Sequence, residues 1–235
     1  LGNAKGQLDS HNPLRPATVK GLLRFWWRAL RGHMKPNELK RREDEVFGST
    51  DGGTGLVVET FKNKVNVYEK DTVLGRGGCP LGYAAYGVAP YKRNHTDRRK
   101  QKKVTTDRPA LDKDSEFNVR LSHKTQECLK EAVDALWAMS VLGGIGAKSR
   151  RGWGSFYLQE FTPSKDNDVY PSAGLKVLEK AIKKTGDKFP KWTAVSQNCE
   201  LLVSKEHCSD PLTALERGAK KLSNFRSAYG KTFSQ

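Results

Sequence analysis

No uninterrupted apolar stretch in this 235-residue chain approaches the roughly 20 residues a helix needs to span a bilayer, which excludes a helical membrane protein. Cysteine is scarce: Cys79, Cys128, Cys199 and Cys208 stand apart without a C-x-x-C pair, as expected of reduced thiols in a cytoplasmic protein. His207 and Cys208 with Cys199 match no zinc spacing, so neither a metal nor another cofactor is expected. No secretory signal opens the sequence. It starts at Leu1 in what reads as the end of a strand, and a strand is expected ahead of it. Acidic residues are the other deficit, 26 Asp and Glu against 42 Lys and Arg, a formal charge of +16. That imbalance favours a polyanionic partner, nucleic acid first. A membrane surface is disfavoured because the most basic stretch is interleaved with Asp and Thr rather than with Leu and Phe.

What is abundant is glycine and positive charge in one place. Gly143-Gly144-Ile145-Gly146-Ala147-Lys148-Ser149-Arg150-Arg151-Gly152-Trp153-Gly154 combines flexible backbone, three cations and one indole. Lys148-Ser149 evokes a nucleotide phosphate loop, but Ala147 stands where that pattern needs glycine. The order is wrong as well, because this loop follows a helical pattern and precedes a strand-like one. The dinucleotide pattern fails at Ser149. Gly143 serves as a helix C-cap, a role that leaves Lys148, Arg150, Arg151 and Trp153 unexplained.

A helix is expected from Val19 to Arg31, with Thr18 as N-cap and Gly32 just past its end. At about 100° per residue, Val19, Leu22, Leu23, Trp26 and Leu30 form an apolar stripe. Lys20, Arg24, Arg28 and Arg31 line another face beside Gly21, with Trp27 on the boundary. An ordinary solvated basic face is one reading. Against it, no acidic residue on that face offsets the repulsion among four cations through an i,i+4 pair, whereas a phosphate backbone would. Trp27 would then stack on a base, and Trp26 would lie in the core.

Pro36-Asn37 opens a second helix, Glu38 to Phe47, ended by Gly48, and Leu56 to Phe61 reads as a strand, with Val65 to Tyr68 as another short one. A basic insertion, about 74–110, is either a functional arm or a mobile segment. Strand Glu116 to Ser122 alternates apolar and polar residues; helix Thr125 to Leu142, the glycine-rich loop and strand Ser155 to Phe161 follow. With the strand expected ahead of Leu1, this is an α+β, ferredoxin-like split βαβ domain over 1–162. After a linker from Pro163 to Pro171, 172–235 reads as a smaller, mainly helical part, incomplete at its end. It holds helix Ala173 to Thr185, a strand around Glu200 to Val203, and helix Pro211 to Tyr229 capped by Asp210.

The run Leu14-Arg15-Pro16-Ala17-Thr18-Val19-Lys20-Gly21-Leu22-Leu23-Arg24-Phe25-Trp26-Trp27-Arg28-Ala29-Leu30, the stretch Glu43 to Ser49 and the loop Gly143 to Gly154 resemble, in order and spacing, the RAMP proteins of CRISPR systems. Within that family the resemblance is to the first-subunit group of type III-B Cmr complexes. It implies a non-cleaving, RNA-binding subunit of a crRNA-guided antiviral complex, near the 3′ part of the guide and the 5′ part of a single-stranded target RNA, beside other Cmr subunits. The RNA-contacting positions it implies are Lys20, Arg24 and Arg28 on the helix, and Lys148, Ser149, Arg150 and Arg151 on the loop. The physical reading adds Gly21, Gly144 and Gly146, whose backbones allow close approach, and Trp27, Arg31 and Trp153. The rival is a metal-independent endoribonuclease using His11, His33 or His123 as base and Lys148 as charge stabiliser, but nothing pairs these histidines. Asp51 is a further candidate carboxylate, better read as a solvated turn residue. A third reading is a scaffold whose basic surface meets acidic neighbours.

Overall fold

A computed structural model describes residues 12–49, 55–69, 72–76, 80–85, 103–105, 109–162, 176–186, 192–199, 208 and 210–232. The elements in chain order are α1 (Pro16–Ala29), α2 (Pro36–Phe47), β1 (Val57–Lys64), β2 (Val67–Tyr68), β3 (Val73–Arg76), α3 (Pro80–Ala85), β4 (Lys103–Thr105), β5 (Ala110–Leu111), β6 (Glu116–Ser122), α4 (Gln126–Leu142), α5 (Lys176–Thr185) and α6 (Pro211–Thr232).

Helix α1 starts three residues before the expected boundary. Pro16 occupies the first helical position, where a missing N–H costs nothing, and the carbonyl of extended Arg15 accepts the amides of Thr18 and Val19 at 3.0 and 3.2 Å. The helix ends at Ala29, so Gly32 is no cap. A Cβ there would lie 2.8 Å from Thr185 Cγ2 and 2.9 Å from Ala194, and glycine instead lets α5 and the segment after it approach. Helix α2 ends as expected at Gly48, whose φ of 81° suits only glycine comfortably.

The core lies where α1, α2 and α4 meet the β1–β6 pair. Val19, Leu23 and Trp27 of α1 pack with Leu39, Val46 and Phe47 of α2 and with Leu129, Ala132, Leu136 and Met139 of α4. Phe117, Val119 and Leu121 of β6 close it from the sheet side. Leu178 and Ala181 of α5 form a second cluster with Leu30 and Ala138, and Trp26 lies against both clusters.

Strands β1 and β6 pair antiparallel from Val57↔Ser122 to Lys64↔Glu116, the central pair of the expected order. Beyond it β2 pairs with β5 and β3 with β4, each antiparallel, so the insertion extends the same hairpin in nested rungs. Lys92, Arg93, Arg98, Arg99, Lys100 and Lys102 lie outside the described residues. Tyr68 on β2 connects this arm to α6: burial first, then a hydrogen bond to Asp112 and the nearby Asp210 carboxylate, push its phenol up to about 12. Asp210 caps α6 as expected, accepting the Thr213 amide at 2.8 Å.

The expected strand Ser155 to Phe161 enters no ladder among the described residues. Its alternation is realised as packing: Phe156, Leu158 and Phe161 lie against the core and Tyr157 is exposed. The linker and the strand expected around Glu200 also lie outside the described residues, and no described helix is long and apolar enough to cross a membrane.

Glu131 of α4 ties the three helices together. It accepts the Trp27 indole N–H at 2.8 Å and Arg42 Nη2 of α2 at 2.9 Å, and pairs with Arg31 Nη2 at 2.7 Å. Arg31 also lies over the Trp27 ring, 4.1 Å from its centroid. Glu131→Ala is expected to lower Tm by roughly 3–12 °C, the cost of losing a charged hydrogen-bond partner at a half-buried site in a chain of this size. Glu127→Ala removes another Arg42 partner that is 73 % exposed, and should shift Tm by less than about 2 °C. Equal melting of the two variants would show that the network carries no stability.

Candidate nucleic-acid interface

The basic face of α1 is less free than its helical wheel suggests. Arg28 meets Glu43 of α2 through two hydrogen bonds of 2.6 Å, from Nε and Nη2, which hold its guanidinium above the ordinary arginine range. Arg24 Nη2 donates to the Gly48 carbonyl at 2.7 Å, a cation at the negative end of α2, and its Nε is 3.8 Å from Glu43. Lys20 Nζ donates to the Leu56 carbonyl at 2.7 Å, and burial, then Arg24, pull its ammonium down from the usual lysine range. The offset that no residue within α1 supplies comes from Glu43 and Glu131 on neighbouring helices. Of the pair on Glu43, Arg28 is the more open, its side chain 48 % exposed, with guanidinium N–H groups beyond the two that Glu43 takes.

Two expected RNA contacts change role. Trp27 is 0 % exposed and its N–H is held by Glu131, so it presents no ring face; the indole expected on the boundary is core, while Trp26, expected in the core, is only partly buried. Arg31 is drawn inward onto Trp27 and Glu131, and burial lowers its guanidinium below the ordinary value while Glu131 and Asp134 act in the opposite sense.

The loop is closed at its base. The Ile145 amide donates to the Gly154 carbonyl at 2.8 Å, and a Cβ on Gly154, whose φ is 70°, would collide with the Ile145 carbonyl. A Cβ on Gly143 would lie 2.7 Å from Trp26 Nε1, so glycine there lets the loop seat directly on α1. Between these points Ser149–Arg151 makes a 3-10 turn, entered at Lys148 with φ 63°. Lys148 is thus held in the left-handed region, where an L side chain costs about 1–2 kcal/mol. Trp153 is half-buried, with its indole N–H buried and without a hydrogen-bond partner. The Arg150 side chain lies outside the described residues. Helix α6 flanks the loop, and a Cβ on Gly152 would meet Leu215 Cδ1 at 2.8 Å.

The two basic parts are joined only through the girth of α1. At 100° per residue, Trp26 under the loop lies some 160° around the helix from Arg24 and Arg28. The arc between them carries Gly21 and Phe25, both exposed. Three participants were not assigned by sequence reasoning: Glu43, which orders the two arginines; Phe25; and the flank provided by α6. The signal for Glu43 was its place in a helix ended by Gly48, four residues before the buried Phe47.

The two described histidines, His33 and His123, form no constellation. The His123 ring meets the Thr125 amide at 2.9 Å and the Glu45 carbonyl at 3.2 Å, which fastens the start of α4. Burial, then Lys184 and Arg31, push His33 below its ordinary value. His11 and Asp51 lie outside the described residues, and no described group of His, Cys, Asp and Glu is arranged to hold a metal.

The sequence profile of the RAMP superfamily matches residues 2–157. The chain is 32 % identical over 165 residues to CRISPR system Cmr subunit Cmr1-2 of Pyrococcus furiosus, spanning 64 % of this chain and 86 % of that protein. It is 29 % identical over 150 residues to Cmr subunit Cmr1-1 of the same organism, spanning 60 % of this chain and 39 % of that one. The crystal structure of Cmr1 from Pyrococcus furiosus in its apo form superposes with a TM-score of 0.57 at 19 % identity, over 93 % of this chain and 67 % of that one, a likeness of fold.

Gly154→Ala is expected to open the loop base and lower Tm by roughly 4 °C or more, given a left-handed backbone and a collision with Ile145. Gly21→Ala, with nothing within 4 Å of the added carbon, should raise Tm by about 2–4 °C through helix propensity. Thermal melts of the pair check both signs, and a Gly154→Ala protein as stable as the parent would contradict the closed-loop geometry.

Proposed function

The chain belongs to the RAMP superfamily, and from that premise we propose that it is an RNA-binding subunit of a Cmr-type, crRNA-guided CRISPR complex. It contacts the 3′ part of the guide or the 5′ part of the target RNA and sits among other Cmr subunits. Its family domain is ferredoxin-like, with the β1–β6 pair at the centre of the split βαβ order. The observation that carries the reading is Lys148, a cation kept in a strained left-handed turn of a loop whose other positive-φ positions are glycines. Asp114 shares the left-handed backbone at φ 62°, but it belongs to a residue type that adopts it readily, whereas strain held at a half-buried lysine in a basic loop is a mark of a working site. The outward N–H groups of Arg28 add a second point of phosphate contact, and the net charge of +16 supplies the long-range attraction. Ser149 and Arg151 of the 3-10 turn, with the amide of Gly146, complete the loop's contribution; Gly144, expected beside them, is buried against the Trp153 and Gly154 backbone. In this reading base pairing supplies sequence, and the protein recognises backbone charge and shape. In this reading the chain binds RNA and leaves cleavage to other parts of the complex.

The test is titration of the full chain into end-labelled single-stranded RNA across a salt series without divalent metal, with the same samples run on a denaturing gel. Intact RNA should bind with a log–log salt slope of about −0.7 per contacted phosphate. Arg28→Ala and Lys148→Ala should each remove roughly one such unit of slope and weaken binding across sequences. Absence of binding at low salt would leave the scaffold reading in its place, and specific cleavage would install the endoribonuclease.

A further inference from the structure

Gly21 is a stability deficit without an internal cause. In the middle of a helix glycine costs about 1 kcal/mol relative to alanine. A packed neighbour normally accounts for such a residue, yet apart from its chain neighbours and the helix's own backbone no atom lies within 4 Å of where a Gly21 side chain would begin. The space is open and on the solvent side of α1.

One turn later, on the same face, stands Phe25, 40 % exposed. Helical side chains lean toward the N-terminus, so the residue at i+4 lies back over residue i. Here residue i has no side chain, and the approach to the Phe25 ring is left clear. The ring is oriented by an edge-on contact with Trp26, centroids 5.4 Å apart and planes at 90°, and Trp26 is itself seated against Gly143. Arg24 and Arg28 border the shelf on one side, and the loop lies beyond Trp26 on the other. Phe61, another exposed aromatic, lacks this clear approach, because Arg120 already lies 5.3 Å over its ring.

Resting on the RNA-binding reading above, we propose that Gly21 and Phe25 form a stacking shelf for one unpaired nucleobase, whose flanking phosphates meet Arg24 and Arg28. Glycine gives room for the base to lie close to the helix backbone and phenylalanine gives the π-face. Cations beside an aromatic surface are the chemistry of single-stranded nucleic-acid recognition. The shelf does the work that helical periodicity assigns to Trp27, whose ring is enclosed.

The experiment uses the full chain and single-stranded oligoribonucleotides carrying 2-aminopurine at successive positions, with fluorescence reporting stacking and anisotropy reporting affinity. For the parent protein, emission should change on binding at one register. Phe25→Leu, which keeps an apolar body, and Gly21→Gln, a good helix former that fills the shelf, should abolish that change and weaken single-strand binding by roughly 5- to 150-fold, the worth of one stacked base. Phe25→Trp should restore both, and Arg28→Ala should reduce the salt slope while keeping the fluorescence change. Parent-like fluorescence and affinity in both Phe25→Leu and Gly21→Gln would overturn the shelf while leaving RNA binding intact. Failure of the parent to bind RNA at all would overturn the underlying reading and the shelf with it.

Discussion

Everything in the helical layer depends on one carboxylate. Glu131 gathers the Trp27 indole and the Arg31 and Arg42 guanidiniums, and those groups belong to α1, the turn that follows it and α2, while the acid belongs to α4. Such a junction is costly to assemble, since each charge leaves water, and costly to lose, since each partner would then be stranded. Its effect is to set the rotation of α1 about its own axis. With Trp27 and Arg31 drawn toward α4, the residues on the far side of the helix are turned outward, and Gly21, Phe25 and Arg28 are among them.

Helix α1 therefore serves the core and the surface with different parts of one circumference. Its inner arc packs against α2 and α4, one edge caps the end of α2 through Arg24, and the opposite edge supports the glycine-rich loop through Trp26. Glu43, itself buried, is the counterpart of Glu131 for the arginines of the outward face. It does not cancel the arginines so much as fix their planes, leaving directed donors where a mobile arginine would offer a diffuse charge.

Much of this architecture was legible in the residues. Strand Glu116–Ser122 alternates cleanly enough to be bounded to the residue, Gly48 marks the end of α2, and the loop's composition identifies it without any coordinates. What escaped is tertiary in origin. Trp26 and Trp27 differ by one position, and a wheel drawn on α1 alone could not foresee that an acid 104 residues away would take the N–H of Trp27 and enclose it. The missing acids on the basic face were likewise found on other helices. The run after Gly154 has a strand's alternation, but alternation reports which side chains are buried, and a ladder also requires a neighbouring backbone. Glu43 opens one of the stretches that carry the family resemblance, but only packing gives it a role that Glu38 and Glu45 do not have.

The nested hairpin built on β1 and β6 has a consequence for how this chain can vary. Its rungs, β2 with β5 and then β3 with β4, lie outward of the pair that covers the core. Because side chains alternate with a period of two, removing or adding matched two-residue steps on both sides preserves the facing of every inner rung. Closing a longer tip adds only a slowly growing entropic cost. The arm is in effect a telescoping spacer: its reach can drift over generations while the surface at its foot stays in register.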